Sequence, residues 1–297
     1  MTLRAIVLGA AAGGGFPQWN CRCAGCRLAW DGDPRALSRT QASIAVSGNG
    51  AEWMLLNASP DLTAQIHATP ALQPQKGTRG SPIGAVVLTG AEVDQVAGLL
   101  SLRERQEFTV FGPERVLETV FANTLFSALN PDWVSRQIVS LDQPFRLPGG
   151  IEACMFASPG KVPLYLENMA IERPEEFNTG LELKKDGRAI LFVPGAASFP
   201  APLSARAASA DLIFFDGTLY TDEEMIRAGA GTKTGRRMGH MPITGEGGSL
   251  RAVNGHARRV YLHINNTNPI LIEGSPENEA VKAAGWDVAF DGMEFQL

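Results

Sequence analysis

The chain has 297 residues, 44% of them hydrophobic and 19% charged, with a formal net charge of -5 at pH 7. That length suffices for one large domain or two of ordinary size, and the acidic balance excludes a general basic face for nucleic acid. No apolar run reaches the ~18 residues of a membrane span, and the N-terminus reads as a first strand and not as a signal peptide, so a cytoplasmic location is expected.

In chain order, a strand is predicted over 4–9, running into a glycine-rich stretch at 10–15. No Gly-Lys-Ser/Thr and no G-x-G-x-x-G spacing into a helix follows, so these glycines are read as backbone freedom near a site and not as a phosphate loop. Cys21, Cys23 and Cys26 come next. Thiolates at this spacing converge on one soft ion and suit disulfides poorly, so the loop at about 16–30 is predicted to hold a structural zinc whose fourth ligand comes from elsewhere. Strands at 41–47 and 52–57 flank Gly48-Asn49-Gly50, a hairpin composition. A short helix follows, with Ser59 as N-cap and Pro60 in its first turn.

The apolar run at 86–89 reads as a buried strand that delivers Glu92, Asp94 and Gln95 at its exit, ahead of a helix at about 95–104. A strand at 109–111, an amphipathic helix at 113–129 and a strand at 151–157 continue the alternation. Strands at 178–184 and 189–193 flank a second hairpin, Lys185-Asp186-Gly187-Arg188, and a helix at 203–210 leads to a buried strand at 212–215 that ends at Asp216. The stretch 228–248 is long and irregular, carries Lys233, Arg236, Arg237 and His240, and is of the kind that is either mobile or functional. A helix at 250–254, a strand at 260–263 ending in His263, a helix at about 276–284 and a closing strand near 288–290 complete the chain. No repeat or linker divides it, so one domain over 1–297 is expected. The fold class is α/β, an αβ/βα four-layer sandwich of two packed mixed sheets with helices outside.

Three separate strands thus end in a potential ligand: Glu92 with Asp94, Asp216, and His263. Strands of one sandwich bring their ends to a common edge, so these groups are predicted to meet in one cleft. His67 and His256 lack partners and are left out of it. The frame Thr89-Gly90-Ala91-Glu92-Val93-Asp94-Gln95 followed by Gly98-Leu99 resembles the Thr-His-x-His-x-Asp-His signature of the metallo-β-lactamase superfamily with its histidines replaced by Gly90, Glu92 and Gln95. Together with Phe16-Pro17-Gln18-Trp19-Asn20-Cys21, Met238-Gly239-His240-Met241-Pro242-Ile243 and Leu262-His263-Ile264-Asn265-Asn266-Thr267-Asn268-Pro269, it looks like the coenzyme PQQ synthesis protein B family of that superfamily over nearly the whole chain.

The resemblance implies pyrroloquinoline quinone biosynthesis, by iron- and O2-dependent hydroxylation of the tyrosine ring in a cross-linked Glu-Tyr precursor with an external reductant. It implies an Fe(II) held by Asp94, Asp216 and His263, with Glu92 and His240 either ligating or standing beside the ligands, and Gln95 as a further candidate. His240 and Glu92 are candidate catalytic groups, and Lys161 is the nearest basic replacement for a histidine the phosphodiesterase relatives carry. Lys233, Arg236 and Arg237 either hold substrate carboxylates or form a solvated loop. For the zinc, the relatives' fourth ligand falls at Asn266, which leaves Asn266, Cys154 and water open. A carrier that binds the quinone without turnover, a metal-dependent hydrolase and a scaffold are the alternatives, and a homodimer is one option for the assembly.

Overall fold

The computed structural model describes residues 2–297. Among the described residues, fourteen strands form two mixed sheets of seven. In chain order they are β1 (Arg4–Gly9), β2 (Ser43–Ser47), β3 (Trp53–Leu56), β4 (Ile83–Val87), β5 (Phe108–Gly112), β6 (Val134–Ile138) and β7 (Pro144–Leu147). Then follow β8 (Ile151–Ala157), β9 (Thr179–Lys185), β10 (Arg188–Val193), β11 (Leu212–Asp216), β12 (Arg258–Leu262), β13 (Trp286–Val288) and β14 (Glu294–Gln296). Sheet one runs β14-β1-β2-β3-β4-β5-β6 and sheet two β13-β12-β11-β10-β9-β8-β7. The helices are α1 (Ala24–Trp30), α2 (Leu62–Ala68), α3 (Val93–Val96), α4 (Glu114–Ala122), α5 (Ala201–Ala208), α6 (Glu224–Arg227), α7 (Gly235–Met238), α8 (Ser249–Ala252) and α9 (Pro276–Ala283).

Side chains alternate across a strand, and here both faces are covered, so the central strands are apolar at nearly every position. On β11, Leu212 and Phe214 face the other sheet while Ile213 and Phe215 pack under the outer helices. On β4, Ala85 and Val87 face inward and Val86 joins the outer cluster with Val116 and Val120 of α4. The expected four layers result, and both hairpins form: β2 with β3, and β9 with β10. Among the described residues no helix is long and apolar enough to cross a membrane.

Several elements differ from the sequence reading. Strands β6 and β7 were not expected; four of the five β6 side chains are exposed, so they carry no apolar pattern, and backbone pairing with β5 is what makes the strand. The closing strand is displaced to β14, which pairs antiparallel with β1, while β13 ends at Val288. The helix expected over 113–129 stops at Ala122, where the Asn123 side chain accepts from Leu125 N and starts a separate 3-10 turn. At α2 the N-cap position belongs to Asp61, not Ser59; the Ser59 hydroxyl donates to Gln65 Oε1 at 3.0 Å instead.

Candidate metal centre

The loop after β4 is fixed before its ligands are reached. Asn57, in left-handed backbone (φ 61°), accepts from Thr89 N and donates to Thr89 Oγ1, each at 2.9 Å, and Thr89 O accepts from Thr179 N and Oγ1 of sheet two. The loop is thereby fastened to both sheets. Glu92 then serves as N-cap of α3 in a capping box with Gln95: the Gln95 amide oxygen accepts from Glu92 N at 3.2 Å. Gln95 is therefore corrected from ligand to cap. A Cβ at position 90 would lie 2.3 Å from Gln95 Oε1 and 2.7 Å from Phe177 O, so the space a side chain there would need is filled.

Asp94, one residue into α3, points away from the cap and meets sheet two: its Oδ2 lies 3.1 Å from His263 Nε2. His263 follows β12 with φ 55°, a conformation uncommon outside glycine. Asp216 ends β11, wholly buried, with Oδ2 accepting from Ala196 N at 2.8 Å and Oδ1 from Thr218 N and Oγ1 at 3.0 and 2.6 Å. His240 Nδ1 stands 2.7 Å from Asp216 Oδ2. It is delivered by the left-handed Gly239 (φ 91°) that terminates α7. The two imidazoles stack with centroids 5.5 Å apart, and one ligand atom each of Asp216, His240 and His263 lies within 4.8 Å of the others.

Electrostatics follow from that packing. Burial alone would raise the Asp94 and Asp216 carboxyls, but the His263 bond at Asp94 and the His240 imidazole against Asp216 hold both below the usual carboxylate range. Burial would lower His263; its bond to Asp94 and the surrounding carboxylates raise it. Glu92 is pushed up by burial and by Asp94. Glu92, Asp94, His240 and His263 line a cleft of about 680 Å³ together with Gly13 and Gly14 of the glycine-rich stretch, Val93 and Leu164, while Asp216 lies wholly buried behind them.

The other predicted residues divide. Lys161 and Lys233 line the cleft, but at its mouth, where both approach Glu167. Lys161, offered as a basic replacement for a relative's histidine, has Glu167 as its ion-pair partner and none of Glu92, Asp94 or Asp216. Arg236 turns outward to Glu246 O at 2.6 Å, and Arg237 is not among the cleft walls, because the four residues of α7 present them to solvent. Cys21, Cys23 and Cys26 form a second group, and Asn266 Nδ2 donates to their sulfurs at 3.1, 3.7 and 3.3 Å. Burial pushes the Cys23 thiol up to about 12, whereas hydrogen bonds to Cys21 outweigh its burial and lower it. Cys154 is on β8 against Arg206 and drops out as a zinc ligand. His67 and His256 join neither group.

Sequence reasoning passed over Thr218 and Glu167. The Thr218 hydroxyl lies within 3.1 Å of Asp216, His240 and His263 at once, and the Asp-Gly-Thr at a strand end was its only signal. Glu167 had none, since it sits in an irregular stretch.

The sequence model of the beta-lactamase superfamily domain matches residues 52–264. A coenzyme PQQ synthesis protein B from Gluconacetobacter diazotrophicus is 53% identical, with 97% of each chain covered. One from Methylobacterium sp. (strain 4-46) is 50% identical over 99% of this chain and all of its own. The crystal structure of Zn(2+)-bound PqqB from Methylobacterium extorquens superimposes with a TM-score of 0.96 at 49% identity, covering 99% of this chain and 100% of the other. Identity at this level from end to end, on the same four-layer sandwich, makes the chain a member of the coenzyme PQQ synthesis protein B family of the metallo-β-lactamase superfamily.

Proposed function

We propose that this chain acts in pyrroloquinoline quinone biosynthesis as an iron(II)- and O2-dependent hydroxylase of the tyrosine ring in a cross-linked glutamate-tyrosine precursor. The relatives' name supports the pathway. The observation that carries the chemistry is the donor set: Asp216, His240 and His263 within 4.8 Å of one another, beside Asp94 and open to a cleft. Imidazoles with carboxylates and an open side suit non-haem iron(II). The filled space at Gly90 removes a ligand that a metal pair would need, which disfavours the hydrolase.

Iron held there supplies redox access to O2. In the overall balance a ring C–H becomes C–OH, and the second oxygen atom leaves as water with electrons and protons from an external reductant and solvent. The chain's own groups do the rest. Asp216 and Thr218 fix the His240 imidazole in the donor set through its Nδ1. Val93 and Leu164 offer the ring apolar surface. Zn(II) belongs to the thiolates of Cys21, Cys23 and Cys26; with its amide turned over, Asn266 offers Oδ1 as fourth ligand.

The test is anaerobic Fe(II) loading, then O2 with a tyrosine-bearing analogue, following oxygen uptake and product mass. Oxygen gained in the product and lost in Asp216→Ala supports the reading. Unchanged uptake in Asp216→Ala removes that residue from the site, and phosphodiester cleavage with manganese in place of uptake selects the hydrolase.

A further inference from the structure

The cleft mouth holds an arrangement that metal binding does not call for. Lys161, from the segment after β8, and Lys233, from the loop between α6 and α7, stand on different walls, and Glu167 lies between them. Glu167 Oε1 is 3.8 Å from Lys161 Nζ and its Oε2 is 3.4 Å from Lys233 Nζ. Among the described residues Glu167 is the only carboxylate within ion-pair distance of either lysine, so two ammonium groups share one negative charge.

These contacts are loose. Charge-assisted N–H to carboxylate bonds close to about 2.7–2.9 Å, as Arg35 does with Asp33 at 2.7 Å. Glu167 therefore does not hold the lysines in place. The Lys161 stem instead runs over Gly239, where an added Cβ would approach its Cγ to 3.2 Å, so backbone next to His240 aims this ammonium at the cleft. Val93 and Leu164, both exposed, line the same cleft, as do Glu92 and Asp94. The cleft, about 680 Å³, thus sets apolar surface beside two cations. A carboxylate on the same molecule as an aromatic ring would meet two ammonium groups in Lys161 and Lys233.

We propose that Lys161 and Lys233 recognise a carboxylate of an aromatic amino-acid derivative, and that Glu167 is an internal stand-in which that carboxylate displaces. The inference rests on reading the cleft as the substrate site and names what selects the ligand there. Glu167 competes with the ligand, so its removal strengthens binding. A merely structural glutamate would do the opposite.

The probe is the dipeptide L-tyrosyl-L-glutamate and its counterpart with all carboxylates amidated. Binding to the full chain is measured by calorimetry without oxygen, with metal content determined for each variant. Lys161→Gln and Lys233→Gln are each expected to weaken the acid form about ten-fold, a discounted value for a half-exposed charged hydrogen bond, and to leave the amide unchanged. Glu167→Gln is expected to tighten the acid form about three-fold, as loss of an exposed ion pair allows. Equal affinity for acid and amide, no measurable binding of the acid, or a Glu167→Gln variant as weak as the lysine variants overturns the proposal. The binding pattern without hydroxylation leaves recognition standing and the oxygenase reading fallen; hydroxylation with a neutral Glu167→Gln does the reverse.

Discussion

At the scale of single residues, the site is defined as much by a missing side chain as by those present. Gly90 stands where the superfamily signature has a histidine, and the Gln95 amide and Phe177 carbonyl occupy the volume beside it. Gly90→Ala is expected to destabilise the chain by about 1–3 kcal/mol through overpacking, measured by urea unfolding. Gln95→Ala in the same chain restores only part, since the backbone carbonyl remains. His263 shows the complementary case, a left-handed histidine whose conformation costs about 1–3 kcal/mol. Asp94 and the Thr218 hydroxyl hold it there. Glu224 carries the clearest pH signal away from these acids. Burial raises it to about 7 although Thr267 Oγ1 and Tyr220 N donate to it at 2.5 and 2.6 Å. Because the folded state holds this proton more tightly than the unfolded state, stability falls as pH rises from about 4.5 to about 7 and is flat above, for a total on the order of 3 kcal/mol. Glu224→Gln is expected to flatten that slope in denaturant melts at successive pH values.

At the scale of elements, the cysteine loop and the loop after β12 are one unit. Cys26 is buried in α1, and Asn266 comes three residues after His263 and covers all three sulfurs. A cation among the thiolates therefore braces the loop that presents His263. Cys23→Ser is expected to lose the bound zinc, by elemental analysis, and to lower the midpoint of thermal unfolding, because binding energy at such a site is folding energy. Full zinc content in that variant would count against the cluster.

At the scale of the molecule, the centre is built across the sandwich. Asp94 comes from sheet one, Asp216 and His263 from sheet two, and backbone bonds from Thr179 N to Thr89 O and from Ile264 N to Ala10 O tie the two together. A divalent ion there binds the native state only, so Fe(II) at about 100 times its dissociation constant is expected to stabilise the whole chain by about 2.7 kcal/mol in a single transition. Chelation should reverse the gain. Asp94→Asn, which removes the contribution of sheet one, should shrink it. Two independent melting steps on metal removal would contradict a centre shared by both sheets.

What the sequence determined by itself is whatever a strand or a short spacing encodes locally. The doubly buried strands, both hairpins, the cysteine cluster and the carboxylate or imidazole at the end of each of three strands were all legible, because apolar runs and polar residues at their ends need no knowledge of neighbours. Strands β6 and β14 were not legible, since they are made by hydrogen bonds to β5 and β1 and not by their own side chains. The roles of Gln95, Arg236 and Lys161 were likewise decided only in three dimensions. Whether a polar side chain reaches an ion, a backbone N–H or another side chain depends on directions that close when the sheets pack. For that reason Thr218, hinted at only by Asp-Gly-Thr, came to touch Asp216, His240 and His263, and Glu167, silent in the sequence, came to line the cleft.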